Sequence, residues 1–387
     1  MPAYPTYKLS EIARSTKGKK PKSVSKEKTD GFEIPYVDIK AFEKGIVDNY
    51  TDGENCTFCK PDEVLIVWDG ARCGFVGRGV EGAIGSTLAK ISSDKYTNDF
   101  LFYFLQSKYK VLNSNPRGVG IPHIEPNLLW NFEIPDVDKT TQHLIVSRIE
   151  TLFAELDKAA EHLRTAQQQL KTYRQAVLNH WLNNDGGKWE MVKLGEVAEI
   201  KGGKRLPKGH YYSEKPTEYR YIMAGNLKNN TVSLDTNFIE KATYEVLKHY
   251  EVIGGEVYIT IVGACIGDVG IIPANLGCSI LTENAAKIVN INNLTPDFLT
   301  IVLRSSCAKT QIKSKILSAT LGKLALSRIA EIVVPLPPLA EQQRIVKEIE
   351  SRLSQATASE TYIENALQQA EALRQSILKK AFSGELV

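Results

Sequence analysis

Gln142-His143-Leu144-Ile145-Val146-Ser147-Arg148-Ile149-Glu150 and Gln342-Gln343-Arg344-Ile345-Val346-Lys347-Glu348-Ile349-Glu350 stand 200 residues apart in a chain of 387. The register then holds without a gap. Gln168-Gln169 match Gln368-Gln369, Arg174-Gln175 match Arg374-Gln375, and Leu178 matches Leu378. A register kept over such a distance marks an internal duplication. Within the first copy, Ile145, Ile149, Leu152, Leu156, Ala159, Leu163, Ala166, Leu170, Tyr173 and Val177 alternate steps of four and three. That is the 3.5-residue period of a coiled-coil seam. The second copy offers Ile345, Ile349, Ile363, Leu373 and Ile377, with Arg352 and Ser359 interrupting. No proline or glycine lies inside either stretch, while Asn183-Asn184-Asp185-Gly186-Gly187 stops the first and Gly384 the second. Some 40 residues make a rod of roughly 60 Å. The partner of matching length and period is the other copy, so the expected arrangement is an antiparallel helix pair with pseudo-twofold symmetry.

The segments ahead of the helices repeat more loosely. Lys8-Leu9-Ser10-Glu11-Ile12-Ala13 resembles Lys193-Leu194-Gly195-Glu196-Val197-Ala198. Glu63-Val64 matches Glu256-Val257, and Asp99-Phe100-Leu101 matches Asp297-Phe298-Leu299. The drifting offset reads as loop insertions on a shared scaffold. Val64–Trp68 and Val257–Ile261 have the composition of buried strands; Thr97–Lys108 and Thr295–Ser305 read as short helices. The fold class expected is α+β: two similar mixed α/β domains separated by the two long helices. The expected division is residues 1–140 for the first domain, 141–184 for the first spacer helix, 185–340 for the second domain, and 341–387 for the second helix and tail.

A net charge of +3 is too small for a polycation, so any nucleic-acid surface must be local. Basic residues do gather at equivalent places in the two domains. Lys17, Lys19, Lys20 and Lys22 follow the first opening motif, and Lys201, Lys204, Arg205 and Lys208 follow the second, with Tyr211 close behind. Lysines there suit phosphate contact; Arg72, Arg78, Arg117, His123 and Asn226 are loop candidates for reading base edges. Other signals are weak. Gly77-Arg78-Gly79-Val80-Glu81-Gly82 spells a dinucleotide fingerprint but lacks a following helix. Cys56-Thr57-Phe58-Cys59 is half a zinc site at most, and no bound metal is expected. No catalytic set converges, no apolar run reaches membrane-spanning length, and six cysteines in this length suit a reducing cytosol.

With these residues in view, the chain resembles the specificity subunits of type I restriction–modification systems. The resemblance rests on the domain–helix–domain–helix order and on the lead-in Pro335-Leu336-Pro337-Pro338-Leu339-Ala340-Glu341-Gln342-Gln343-Arg344-Ile345-Val346. It rests also on the opening Lys193-Leu194-Gly195-Glu196-Val197 and the ending Arg374-Gln375-Ser376-Ile377-Leu378-Lys379-Lys380-Ala381-Phe382-Ser383-Gly384. The first lead-in departs, with Asp136-Val137-Asp138 where prolines are usual. The resemblance implies a non-catalytic, cytoplasmic prokaryotic protein whose domains each read half of a bipartite double-stranded DNA site. It implies a spacer set by the helices, and two methyltransferase subunits that carry S-adenosylmethionine. Motor–nuclease subunits join for restriction. The readings from other classes are a single-chain DNA methyltransferase or nuclease, and a coiled-coil protein that does not bind DNA.

Overall fold

A computed structural model of the chain describes residues 4–118, 120–182, 188–228, 230–316 and 322–386. It divides into two compact units, residues 1–164 with 364–387, and residues 165–363. The stop signal at residues 183–187 lies outside the described residues.

In the first unit, strands Arg14–Lys17, Leu88–Ser92, Val64–Val67 and Val76–Arg78 lie side by side in that order as an antiparallel sheet. A second sheet runs Val24–Ser25, Tyr50–Thr51, Ile34–Val37, Gly82–Ile84, Thr57–Cys59, and its central pair, Ile34–Val37 with Gly82–Ile84, is parallel. A short ribbon pairs Thr6–Lys8 with Glu133–Pro135. The second unit repeats this plan strand for strand. Its four-stranded sheet runs Glu199–Gly202, Ala285–Val289, Val257–Thr260, Val269–Ile271. Its five-stranded sheet runs Tyr212–Ser213, Asn237–Ile239, Arg220–Ile222, Ser279–Leu281, Glu251–Val252, with the parallel pair again at Arg220–Ile222 and Ser279–Leu281. Between the strands Arg220–Ile222 and Glu251–Val252 the second unit adds the strand pair Leu227–Lys228 with Thr231–Val232 and the helix Lys241–Leu247.

The strand centres are buried on both faces because β-branched and aliphatic residues fill them: Val64, Leu65, Ile66 and Val67 are all fully buried, as are Val257, Tyr258 and Ile259. Each such side chain contributes roughly 1.5–3 kcal/mol. Two polar links repeat inside this apolar setting. Lys90 pairs with Glu63 at 3.0 Å, and Lys287 with Glu256 at 3.1 Å, which explains why the glutamate recurs in both copies. The domain helices are capped alike, Thr97 accepting from the Phe100 N–H and Thr295 from the Phe298 N–H. The first runs Asn98–Ser114; its counterpart breaks at Ser305 into Pro296–Arg304 and Ser306–Lys315.

The long helices are Lys139–Leu182 and Leu339–Ser383. Gly384, with φ +79°, takes the left-handed conformation that ends the second. Each unit's core is closed by the start of one helix and the end of the other. Ile145, Val146, Ile149 and Phe153 join Leu378 and Ala381 around Phe100 and Phe104. In the second unit Ile345 and Ile349 join Val177 and Leu178 around Phe298 and Leu299. The helix segments run antiparallel within each unit. Arg374 pairs with Asp157 and lies 4.6 Å over the Phe153 ring. Arg174 bonds Thr357 and Glu360, each at 2.9 Å.

The seam itself needs correction at Ala159, Tyr173 and Leu373, which are exposed. Ile145, Ile149, Ile345, Ile349 and Ile363 are buried, and Leu152, Leu156, Leu163, Leu170 and Ile377 half-buried, but Leu373 is 51% exposed and its counterpart Tyr173 39%. A 3.5-residue stripe on a 3.6-residue helix drifts about 20° per heptad, hence about 80° over the four heptads from Ile345 to Leu373. The buried face therefore passes to Arg374 and Leu378, and in the other copy to Arg174, Val177 and Leu178.

The most completely buried polar side chains of the helices are Gln142 and Gln342. The Gln342 amide oxygen accepts the Thr295 N–H at 2.8 Å, and its nitrogen donates to the Asn293 and Pro337 carbonyls, both at 2.8 Å. Gln142 does the same with the Thr97 N–H at 2.9 Å and the Val137 carbonyl at 3.0 Å. Gln342→Leu removes the partner of three backbone groups, the Pro337 carbonyl among them buried, and urea unfolding should register a loss on the order of 3 kcal/mol.

Candidate nucleic-acid interface

The strand Arg14–Lys17 ends at Gly18, and Glu199–Gly202 is followed by Gly203. A Cβ at Gly18 would collide with the Ile84 and Gly85 carbonyl oxygens, and one at Gly203 with those of Leu281 and Thr282. Only glycine lets the chain leave the sheet so close to the neighbouring strand. The next N–H is then tied down in both units, Lys19 to the Ile84 carbonyl at 3.1 Å and Lys204 to the Leu281 carbonyl at 2.9 Å. This anchoring puts exposed Lys19 and Lys20 in the first unit, and Lys204 and Arg205 in the second, at equivalent places on the scaffold.

In the second unit the anchored loop forms one wall of a cleft of ≈ 750 Å³, with Lys204, Arg205, Lys208, Lys323, Glu283 and Asn284 on its lining. Arg205 reaches Glu283 at 3.4 Å but stays 77% exposed, a weak and screened pairing. Lys204 sits 5.9 Å from the Tyr250 ring. Four cations around one carboxylate make a locally positive concavity in a chain of nearly balanced charge. Tyr211, 77% exposed, belongs to a neighbouring concavity of ≈ 510 Å³ with His210, Tyr212 and Lys215. Lys201 faces Glu199 at 2.8 Å on the sheet rather than the cleft.

In the first unit, Lys17 and His123 meet on one carboxylate. The Lys17 Nζ lies 2.8 Å from Asp69 Oδ2 and the His123 Nδ1 2.6 Å from Asp69 Oδ1. Burial pushes the Asp69 carboxyl up, but hydrogen bonds from Lys17 and His123, together with the Lys17 charge, outweigh it and hold the group below its ordinary value. Lys22 lies 4.0 Å from Glu54 at the surface. Arg117 is exposed and pairs with His123 through two backbone hydrogen bonds of 2.9 Å.

Three predicted base readers are occupied elsewhere. Arg72 bonds Glu43 at 2.7 Å and stacks 4.2 Å over Phe75. Arg78 bonds Asp99 at 2.5 Å and lies 4.2 Å over Phe102, tying a strand to the domain helix. The Asn226 amide accepts from the Met223 N–H and donates to the Asp235 carbonyl, which closes its own loop. The sequence reading put all three in loops, but Arg78 ends the strand Val76–Arg78, and the acids, rings and carbonyls that engage these side chains come from elsewhere in the chain. It also missed Lys323, Glu283, Asn284 and Asp69. Lys323 was traceable, since it stands 200 residues after His123. The glycine string Gly77–Gly82 is an edge strand and a turn, and the Cys59 thiol is buried, donating to the Val80 carbonyl at 2.6 Å.

Two copies of one α+β domain, each presenting basic residues from a glycine-anchored loop, have the build of a protein that binds an extended anionic partner at two places. Comparison with known proteins sharpens that class. The family profile described as Type I restriction modification DNA specificity domain matches residues 3–163 and 186–369. The chain is 26% identical over 380 residues to the specificity subunit of the type I restriction enzyme EcoBI of Escherichia coli, covering 91% of this chain and 80% of that protein. It is 25% identical over 365 residues to the MjaVIII specificity subunit of Methanocaldococcus jannaschii, covering 89% and 84%. A solved chain from a study of complex assembly and conformational transition of the type I R-M system superposes with a TM-score of 0.76 at 19% identity, over 100% of this chain and 99% of that one. The HsdS subunit from Thermoanaerobacter tengcongensis superposes with 0.58, also at 19%, over 99% and 97%. This chain belongs to the type I restriction–modification DNA specificity family, as a specificity subunit whose catalysis lies in other subunits. Among the described residues, no helix is long and apolar enough to cross a membrane.

Lysines that touch phosphates release counterions. Lys204→Ala and Lys323→Ala should each lower the slope of log affinity against log salt by about 0.9 for duplex DNA, read by a salt titration of binding.

Proposed function

We infer that the chain is a double-headed DNA reader, each unit engaging one half of a bipartite asymmetric site, with the long helices fixing the gap and docking two methyltransferase subunits. The observation that carries this reading is where the repeat is strict. Residues 139–182 and 339–383 keep identical exposed side chains at Glu150 and Glu350, Gln168 and Gln368, and Gln169 and Gln369. Folding does not require solvent-facing identity; a partner that meets the same surface twice does. Exposed Tyr173 and Leu373 add an apolar pair at equivalent positions. The loops around the basic residues, in contrast, share their anchors and differ in chemistry, as two heads reading different sequences would.

On this reading the chain carries no cofactor. S-adenosylmethionine belongs to the methyltransferase subunits, which modify adenine in each half-site, and motor–nuclease subunits join the same assembly for restriction. With its methyltransferase partner the chain should protect a split site. Exchange of residues 1–140 for those of another family member should change one half of the target and leave the other. Insertion of one helical turn after Ala159 should lengthen the unread gap, mapped by adenine methylation. An unchanged gap would rule out the ruler, and methyl transfer by this chain alone would rule out the scaffold.

A further inference from the structure

The two units have the same main chain at one spot beside the anchored loops and different side chains on it. Asp69 N–H bonds the Thr87 carbonyl at 3.3 Å, and Val262 N–H the Asn284 carbonyl at 3.2 Å. Ile124 N–H bonds the Trp68 carbonyl at 2.9 Å, and Leu324 N–H the Ile261 carbonyl at 3.0 Å. Asp69 bridges to His123, and Val262 to Lys323, in the same antiparallel sense. On this common frame the first unit sets Lys17, Asp69 and His123 where the second sets Gly202, Val262 and Lys323. All three of the latter line the basic cleft.

The fold does not need the charged cluster, because the second unit builds the same frame with a valine in place of the carboxylate. Holding Asp69 at 17% exposure costs desolvation that an apolar residue avoids. We propose that Lys17, Asp69 and His123 form the base-reading contact of the first unit, with Asp69 positioning the imidazole and His123 accepting a hydrogen bond from the amino group of adenine or cytosine. This rests on the reading of the first unit as a recognition domain and names a contact within it.

The chemistry follows from the donors. An ionised carboxylate only accepts, so His123 Nδ1 carries the proton in the 2.6 Å contact with Asp69, and in the neutral ring Nε2 is left as the acceptor. Lys17 holds the other carboxylate oxygen at 2.8 Å and keeps it from turning. The ring is 45% exposed, and a Cβ on Gly118 would approach its Cδ2 to 3.3 Å, so glycine at that position leaves the ring edge free of a side chain. In the major groove the exocyclic amines of adenine and cytosine are the donors an acceptor selects. Lys323, at the same place in the second unit, is a donor only and suits guanine, thymine or a phosphate.

The test uses the full chain assembled with its methyltransferase partner on a library of duplexes randomised across the target, with methylated adenines read by sequencing. His123→Lys places in the first unit the residue that the second unit already accommodates. It should move the preference at one base pair of one half-site from adenine or cytosine toward guanine or thymine. Asp69→Asn removes the obligate acceptor and should reduce discrimination at that same base pair about tenfold, with the other half-site unchanged. A uniform loss of methylation without any change in base preference would overturn the proposal. So would unchanged preference in both variants while exchange of residues 1–140 still alters the half-site. If that exchange also leaves the target unchanged, the recognition role of the first unit falls, and this contact with it.

Discussion

The buried glutamine at the start of each long helix is the joint on which the rest of the molecule depends. Gln142 and Gln342 satisfy the N–H at a domain-helix cap with one end of the amide and carbonyls of the lead-in with the other. A buried amide with all these bonds made is tolerable; with them broken it is costly. The side chain therefore fixes the direction in which a 44- or 45-residue helix leaves its domain. Once that direction is set, Ile145 and Ile149, or Ile345 and Ile349, fall into the domain core, and the opposing helix segment has a defined face to meet. Prolines in the second lead-in and Asp138 in the first reach the same result. Asp138 accepts from the Thr141 N–H at 2.7 Å, and hydrogen bonding to that backbone lowers its pKa.

Much of this was legible before any coordinates. The helices follow from an unbroken register, and a fixed period has few physical causes. The strands Val64–Val67 and Val257–Thr260 follow from runs of β-branched residues. The strand order did not follow, because the parallel pairing of Ile34–Val37 with Gly82–Ile84 joins segments whose intervening loops differ in length between the copies. At the far end of the seam the reading failed for a geometrical reason: a heptad pattern says where a stripe begins, not how far it rotates before another surface claims the helix. Leu373 is apolar at a seam position and faces solvent.

The interface was legible in part. Clustered lysines after an opening motif repeated in both copies, and Gly18 and Gly203 put their side chains at equivalent stations. Whether an arginine is available, however, depends on what lies beside it in space. Arg72 and Arg78 each combine an acid with an aromatic face, the two partners guanidinium favours, and both partners come from distant sequence. Asp69 was invisible for the converse reason: a single aspartate after a strand carries no pattern until Lys17 and His123 converge on it.

The way the first unit's core is closed also sets a timetable. Leu378, Ala381 and Phe382 pack with Phe100, Phe104 and Ile149, Phe382 meeting both phenylalanine rings edge-on at 5.2 and 5.3 Å. A ribosome makes those closing residues only after it has made all of residues 165–363. At about 5–20 residues per second, that leaves the first-made domain waiting on the order of ten seconds or more with its apolar flank uncovered. The second unit has no such wait, since Val177 and Leu178 precede its sheets. The domain synthesised first is thus the one completed last, and a chain released early would lose the closure of its beginning rather than merely its end.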